Sequence, residues 1–355
     1  MKVALVGRPG GGKTTLFNSL SDKQVPLLPG VPGAQPFVSV VQVRDERLEW
    51  LRDLYQPKKY TPATILVEDH PGIPSGSAKS DRRGELFGQM RQSDGLVVVL
   101  RGFTAESYAY DEPASDPARD LELIALELLS ADLDVCERRL ERLATEWKKP
   151  QERDRVERER AVVERLAAAL REGRGGFTVE LRPEEEAFVK GFLLFTRKPA
   201  LLVVNLAEGA TAPPLPPSSL DVRHRFDACL KLEADLAGLS GDDRALFAEE
   251  FGITEPLRDR FNLACYRGLG LLSFFTVGED EVRAWTVQKG DDAVTASGKI
   301  HSDLAKGFIR AEVTPYADLR ALGSMREVKA KGKQRLEGRD YVVADGDILN
   351  IRFSV

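Results

Sequence analysis

At 355 residues with a formal charge of −5, the chain is long enough for two or three domains of about 100 to 200 residues each and too acidic for a globally basic nucleic-acid binder, although a local basic patch stays open. Three cysteines, Cys136, Cys229 and Cys265, lie far apart without C-x-x-C spacing, which argues against a metal site or a disulfide framework. The N-terminus runs straight into apolar residues with no basic-then-apolar leader, and no apolar stretch reaches about 18 residues, so a soluble cytoplasmic chain without membrane contact is expected.

The first apolar run, Lys2 to Val6, breaks into Gly7-Arg8-Pro9-Gly10-Gly11-Gly12-Lys13-Thr14, which fits G-x-x-x-x-G-K-[ST], and a helical stretch from Thr14 to Leu20 follows. A buried strand that turns through glycines into a helix aims several backbone N–H groups, and the positive end of a helix dipole, at one anion-sized space. Arg8, Pro9, Gly10, Gly11, Gly12, Lys13, Thr14 and Thr15 are therefore expected to hold a nucleoside triphosphate. Lys13 would reach the β- and γ-phosphates, and the Thr14 hydroxyl would ligate Mg2+, a hard cation that takes oxygen ligands.

Further β-type runs follow at Ser39 to Val43, Thr64 to Glu68, Gly95 to Arg101 and Ala200 to Asn205. Several are continuously apolar, the mark of strands covered on both faces, so an α/β unit with a mostly parallel sheet is expected. Asp69-His70-Pro71-Gly72 ends the Thr64 run, where Asp69 can hold Mg2+ through water and the Gly72 N–H can sense the γ-phosphate. Lys13, Asp69 and Gly72 form the candidate catalytic set. His70 could act as a base, but side chains alternate along a strand end, and a neighbour of Asp69 tends to point away from the phosphates.

From Asp120 the pattern turns helical. Leu126, Leu129, Leu133, Cys136, Leu140, Leu143 and Trp147 recur at steps of three and four, predicting one apolar stripe, with Pro150 ending the helix. Val156, Val163, Leu166 and Leu170 predict a second helix over Glu152 to Arg171, and the two read as an antiparallel hairpin with a solvated charged face. After it, Asn205-Leu206-Ala207-Glu208 ends a buried strand where GTP-specific proteins carry N-K-x-D. Moving the carboxylate to a longer Glu208 and placing Leu206 where Lys would lie removes the guanine-specific arrangement, and unpaired base donors cost about 1 to 3 kcal/mol, so adenine becomes competitive.

Beyond Leu271 come short strands and turns: Ser273 to Val277, Val282 to Val287, Phe308 to Val313, Tyr341 to Val343 and Ile348 to Phe353, a compact α+β module. Trp285 and Phe308 read as core there. Lys329, Lys331, Lys333, Arg335 and Arg339 interrupt an otherwise acidic protein and could meet RNA phosphates.

The phosphate loop with Thr15-Leu16-Phe17-Asn18, the N-x-x-E stretch, the hairpin opening Asp120-Leu121-Glu122-Leu123-Ile124, and three C-terminal stretches carry a resemblance over nearly the whole chain. Those three are Val282 to Thr286, Lys306 to Val313 and Leu336 to Val343. The chain resembles the YchF/Obg-like ATPase family. The resemblance implies a P-loop NTPase domain over 1–119 and 195–270, a helical hairpin insert over 120–194, and an α+β TGS-like (ubiquitin-like) domain over 271–355. It also implies ATP hydrolysis with weaker GTP use, and association with ribosomes through the TGS-like domain or the hairpin. Oligomeric state is open, with a monomer favoured. By the same resemblance Cys229-Leu230 takes the place of the Ser-Ala that backs the base, leaving a looser ring pocket.

The departures bear on mechanism. Gly10 and Gly11 replace the family's Asn and Val, which puts potassium dependence in doubt. Gly33 stands where the family carries a switch Thr for Mg2+ and the γ-phosphate, and Ser75 to Gly88 differs from the family's glycine-rich form. Ile73 follows Gly72 where Ras-like enzymes use a Gln, a family trait that implies slow hydrolysis. Two readings stay open: a slow ATPase cycling on a ribosomal partner, and a nucleotide-gated RNA- or ribosome-binding module with little or no hydrolysis.

Overall fold

The computed structural model describes residues 1–21, 25–26, 35–73, 80–104, 116–147 and 150–354, and two compact units can be distinguished: Lys2–Ser39 with Leu66–Arg258, and Val40–Ile65 with Asp259–Val355. Gly33 and residues 74–79 of the second switch stretch lie outside the described residues.

The strands are β1 (Lys2–Val6), β2 (Phe37–Gln42), β3 (Lys59–Thr61), β4 (Thr64–Asp69), β5 (Gly95–Gly102), β6 (Pro199–Leu206), β7 (Asp221–Ala228), β8 (Leu271–Thr276), β9 (Glu281–Gln288), β10 (Phe308–Pro315), β11 (Arg335–Glu337) and β12 (Asp347–Phe353). One sheet has the order β2-β4-β1-β5-β6-β7, with β4, β1, β5, β6 and β7 paired in parallel. Val3, Ala4, Leu5, Leu96 to Val98, Val203 and Val204 are fully buried, as continuous Val/Leu runs require when helices cover both faces. The P-loop α/β architecture is thus as expected. Strand β7 escapes the apolar pattern because Arg223, His224, Arg225 and Asp227 make it half polar at the sheet edge.

The helices are α1 (Lys13–Leu20), α2 (Glu46–Tyr55), α3 (Ser80–Met90), α4 (Pro117–Glu146), α5 (Arg153–Arg171), α6 (Pro183–Val189) and α7 (Leu230–Gly238), with further helices in the C-terminal third. Helix α4 starts where Asp116 accepts from the N–H groups of Ala118 and Arg119 at 3.0 and 3.1 Å, with Pro117 in its first turn. It lies against α5 in antiparallel register: Arg171 pairs with Glu137, and Arg139 with Glu159, while Arg155 pairs with Glu146.

The expected single stripe on α4 is corrected by the packing. Leu129, Cys136 and Leu143 do face α5, together with Val156, Val163, Leu166 and Leu170, but Leu126 is 60% exposed and Trp147 40%. The reason is a second buried face: Leu121, Ile124, Ala125, Leu128 and Ala131 join the core cluster of the parallel sheet. The N-terminal half of α4 packs on the parallel sheet and its C-terminal half belongs to the hairpin, so the buried face rotates along the helix. At the changeover Asp132, fully buried, accepts from Arg91 Nη1 (2.7 Å), the Phe195 and Thr196 N–H groups (3.0 and 2.8 Å) and the Thr196 hydroxyl (2.8 Å).

In the other unit the sheet order is β11-β10-β12-β8-β9-β3, mixed in direction, around Phe274, Val287, Ala311, Val313 and Leu349. Residues 40–65, which the sequence reading put with the N-terminal domain, contribute α2 and β3 to this unit. Tyr60 pairs with Val282 in parallel register, Trp50 meets Tyr316 edge-on at 5.5 Å, and Arg47 donates to Asp345 at 2.7 Å. Tyr341 to Val343, expected as a strand, forms only a single bridge from Val342 to Asp292. There the Tyr341 hydroxyl and the Ala344 N–H both donate to Asp347, which bends the chain into a turn.

Two leucines of the α4 stripe separate the readings. Leu143→Ala is expected to cost about 2–5 kcal/mol of stability by leaving a cavity between α4 and α5. Leu126→Ala is expected to stay within about 0.5 kcal/mol. Urea unfolding of the two variants measures this; equal losses would contradict the rotated face.

Candidate nucleotide site

Register builds the site. Strand β1 pairs with β4 so that Leu5 lies opposite Asp69, and the chain leaving β1 turns through the glycine loop directly beside the end of β4. On β1's other side, β5 carries on to β6, whose Asn205 lies opposite Ala228 of β7. The loop thus sits at the C-terminal edge of adjacent parallel strands, the usual crevice for a ligand in such a sheet.

The loop enters α1 at Gly12, whose φ of 102° is left-handed. A side chain there would also collide with Asn205 Nδ2. Gly72 is held equally tightly, since a Cβ on it would run into the Pro9 backbone. The adjacent Ile73 N–H donates to the Gly7 carbonyl at 3.0 Å, so the end of the Asp69-to-Gly72 stretch is clamped to the start of the loop.

Lys13 is 6% exposed, and its Nζ donates to the carbonyls of Arg8 (3.1 Å) and Gly7 (3.4 Å). Burial pushes its ammonium down to about 8, opposed by the negative charge of Asp69. The Thr14 hydroxyl donates to Asp69 Oδ2 at 2.7 Å. Asp69 Oδ1 is buried and has no hydrogen-bond partner among the described residues. Burial raises the Asp69 carboxyl above its ordinary range, against the lowering effects of the Thr14 bond and Lys13. The Thr14 hydroxyl and the Asp69 carboxylate offer oxygen ligands that a divalent cation would take, and the Lys13 ammonium beside them offers a positive charge to phosphate oxygens.

The other candidates sort by position. Asn205 Nδ2 donates to the Gly11 carbonyl (3.2 Å) while its Oδ1 accepts from the Leu230 N–H (3.1 Å), joining the loop, β6 and α7. Leu230 is fully buried and Cys229, half-buried, precedes it at the N-cap of α7. Leu206 is partly buried and packs against the core of the sheet, whereas Glu208 is exposed beyond the strand end. Pro9 and Gly10 are exposed at the loop tip, and Thr15 is half-buried with its carbonyl accepting from Ser19 Oγ at 2.9 Å. Arg8 contributes its main chain to the loop, but its side chain turns to Asp120 on α4 at 3.0 Å.

His70 lies on the opposite side of β4 from the Thr14 bond, as strand alternation requires: its Nε2 meets Glu68 Oε2 at 3.2 Å, and Lys2 Nζ meets Glu68 Oε1 at 3.2 Å. Burial holds the His70 imidazole below its usual value despite Glu68. The Glu68–His70 pair and Asp120 were not legible as partners from sequence; the i, i+2 spacing of Glu68 and His70 on a strand was the available signal for the first, and nothing local signalled the second. Among the described residues no helix is long and apolar enough to cross a membrane.

Comparison with known proteins agrees along the whole length. The family model described as "50S ribosome-binding GTPase" matches residues 2–127, and the YchF-GTPase C-terminal model, described as "Protein of unknown function", matches residues 271–354. The chain is 37% identical over 372 residues to Ribosome-binding ATPase YchF of Bacillus subtilis (strain 168), covering 100% of both. It is 31% identical over 371 residues to Obg-like ATPase 1 of Oryza sativa subsp. japonica, covering 100% of this chain and 92% of that one. The solved structure of the Schizosaccharomyces pombe YchF GTPase matches it with a TM-score of 0.81 at 28% identity, covering 99% of this chain and 97% of that one. With a nucleotide-type loop, an N-x-x-E strand end and this C-terminal unit all in one chain, the protein belongs to the YchF family.

Proposed function

We propose that the chain binds ATP, and GTP more weakly, with Mg2+, hydrolyses it slowly, and acts as a ribosome-associated switch in the cytoplasm, its oligomeric state left open with a monomer favoured. The observation that carries the nucleotide reading is the Lys13, Thr14 and Asp69 cluster: three groups brought together at the ends of β1 and β4, with Asp69 Oδ1 buried and without a hydrogen-bond partner among the described residues. Thr14 and Asp69 would hold Mg2+, Asp69 through water, and the ion would neutralise charge on the β- and γ-phosphates. Lys13 supplies a second positive charge from a desolvated position, where it acts more strongly than in water. Gly72, pressed against Pro9, offers its N–H to the γ-phosphate side of the loop. Ile73 is 4% exposed and brings no polar group to orient water, which supports slow turnover.

For the base, Asn205 braces the loop against α7, while the apolar Leu206 and the longer Glu208 replace the guanine-reading arrangement. The names borne by the relatives support ribosome binding. Lys329, Lys331, Lys333, Arg335 and Arg339 are all exposed, and with the α4–α5 hairpin they are the two candidate partner surfaces; the TGS-like assignment of 271–355 belongs to the same proposal.

Lys13→Ala is expected to weaken triphosphate binding at least tenfold, about 1.4 kcal/mol, by calorimetry; unchanged affinity would sink the assignment. The wild-type affinity should also depend on pH. Because free Lys13 loses its proton above about 8 while a bound triphosphate favours the ammonium, affinity is expected to hold below that pH and fall above it, with proton uptake on binding. In Lys13→Arg, which stays charged, that fall should vanish.

ATP is expected to bind at least as tightly as GTP, and the double change Leu206→Lys with Glu208→Asp should shift preference toward GTP. Competition binding tests this, and a wild type favouring GTP by about tenfold or more would overturn the base reading.

Ribosome co-sedimentation over a salt series should show binding that weakens steeply with salt, since Lys and Arg contacts to phosphates release counterions, and a shallower slope when Lys329, Lys331 and Lys333 are neutralised together. An ATP analogue should strengthen the binding over ADP. A slope indifferent to the triple change would remove the basic run as the contact.

A further inference from the structure

Arg8 stands inside the phosphate loop, yet its side chain is spent elsewhere. Its Nη1 donates to Asp120 Oδ1 at 3.0 Å, with the two side chains only 14% and 10% exposed. Asp120 lies in the first turn of α4. The Arg8 carbonyl accepts from Lys13 Nζ at 3.1 Å and from the Gly11 N–H at 3.3 Å. One residue therefore closes the loop turn, holds the ammonium that faces the phosphates, and grips the helix that forms the base of the hairpin.

The opposite flank of the loop is held differently. Ile73 donates to the Gly7 carbonyl and Gly72 packs on Pro9, which ties the loop to the strand end that leads toward α3. Helix α3 is in turn bound to α4: Arg83 pairs with Glu127, and Arg91 just beyond α3 donates to Asp132 (2.7 Å) and to the Ala131 carbonyl (2.8 Å). Helix α4 is thus gripped by ion pairs from the loop and from the helix after the switch stretch, at Asp120, Glu127 and Asp132. A partly desolvated ion pair tolerates little displacement, because separating its members leaves each charge uncompensated. A loop that needed only to turn would require no cation at Arg8.

Resting on the nucleotide reading above, we propose that Arg8 is a positioning residue whose pairing with Asp120 fixes its own carbonyl, and through it the Lys13 ammonium, against the base of the hairpin. Displacement of α4 then changes affinity for the terminal phosphates, and a bound triphosphate changes α4 by the same coupling free energy, as linkage requires.

The test is a double-mutant cycle on the full chain with a non-hydrolysable ATP analogue: Arg8→Met, Asp120→Asn and both together, with Lys13→Ala as the site control and Glu122→Gln as an exposed charge change on the same helix. Each single change is expected to weaken binding about fivefold to tenfold, and the double change no more than either single. Arg8→Lys should retain affinity within about threefold, which a general folding defect would not allow. Hydrogen exchange reads the reverse direction: the analogue should slow exchange of the α4 amides near Asp120 in the wild type and not in Arg8→Met. Additive singles, unchanged affinity in both singles while Lys13→Ala loses binding, or equal α4 protection in Arg8→Met and wild type would each overturn the inference. If Lys13→Ala binds as the wild type does, the nucleotide-site reading itself fails, a result distinct from the others.

Discussion

The parallel pairing of β1 with β4 is the constraint on which the rest of the site depends. It brings the ends of two strands side by side, so that Lys13 and Asp69 are desolvated within each other's field and Thr14 bonds to the carboxylate at 2.7 Å. Neither charge is comfortable alone: burial lowers the Lys13 ammonium and raises the Asp69 carboxyl, and each partner partly offsets the other's penalty. Such an arrangement is poorly satisfied within the protein itself. An external cation and anion would relieve both penalties, which is how the cluster fits the proposed function.

Helix α4 is the second organising element. Its first half completes the nucleotide core and its second half, with α5, forms the hairpin core, so one continuous backbone belongs to both. The changeover at Asp132 is fully hydrogen-bonded, with Arg91 stacked over the Phe195 ring at 4.2 Å. A single helix shared by two cores ties the packing of the parallel-sheet unit to that of the hairpin. The glycine loop has its own contact with that helix, through Arg8 and Asp120.

Much of this was legible in the chain because the signals are local. A continuous Val/Leu run, three consecutive glycines and Lys-Thr can hardly be anything but strand, loop and helix start, and Gly12 at φ 102° and Gly72 against Pro9 show why side chains are excluded there. The strand ends bearing Asp69 and Asn205 were legible for the same reason. The α4 stripe was misjudged at Leu126 and Trp147, since spacing reports a face but not how many partners that face has. Strand β3 and helix α2 fell to the wrong part of the chain because three half-polar residues, Lys59 to Thr61, carry no pattern until Val282 pairs with Tyr60. Tyr341 to Val343 reads as a strand by β-propensity but forms only a bridge, because Asp347 accepts from Tyr341 and Ala344 and bends the chain into a turn directly after it.

By itself the amino-acid sequence determined the phosphate loop, the parallel-sheet core, the helical pair and the residue types at the base site, because backbone conformation and period-two or three-to-four hydrophobic spacing are properties of neighbours along the chain. The tertiary structure alone decided which charges meet: Arg8 with Asp120, 112 positions apart, Arg91 with Asp132, 41 apart, and Glu68 with His70 on the other side of β4 from the Thr14–Asp69 bond. It also decided that residues 40–65 complete a sheet whose other strands begin at Leu271. The reason is that pairing energy between distant residues depends on distance and desolvation, and neither exists until the chain has folded.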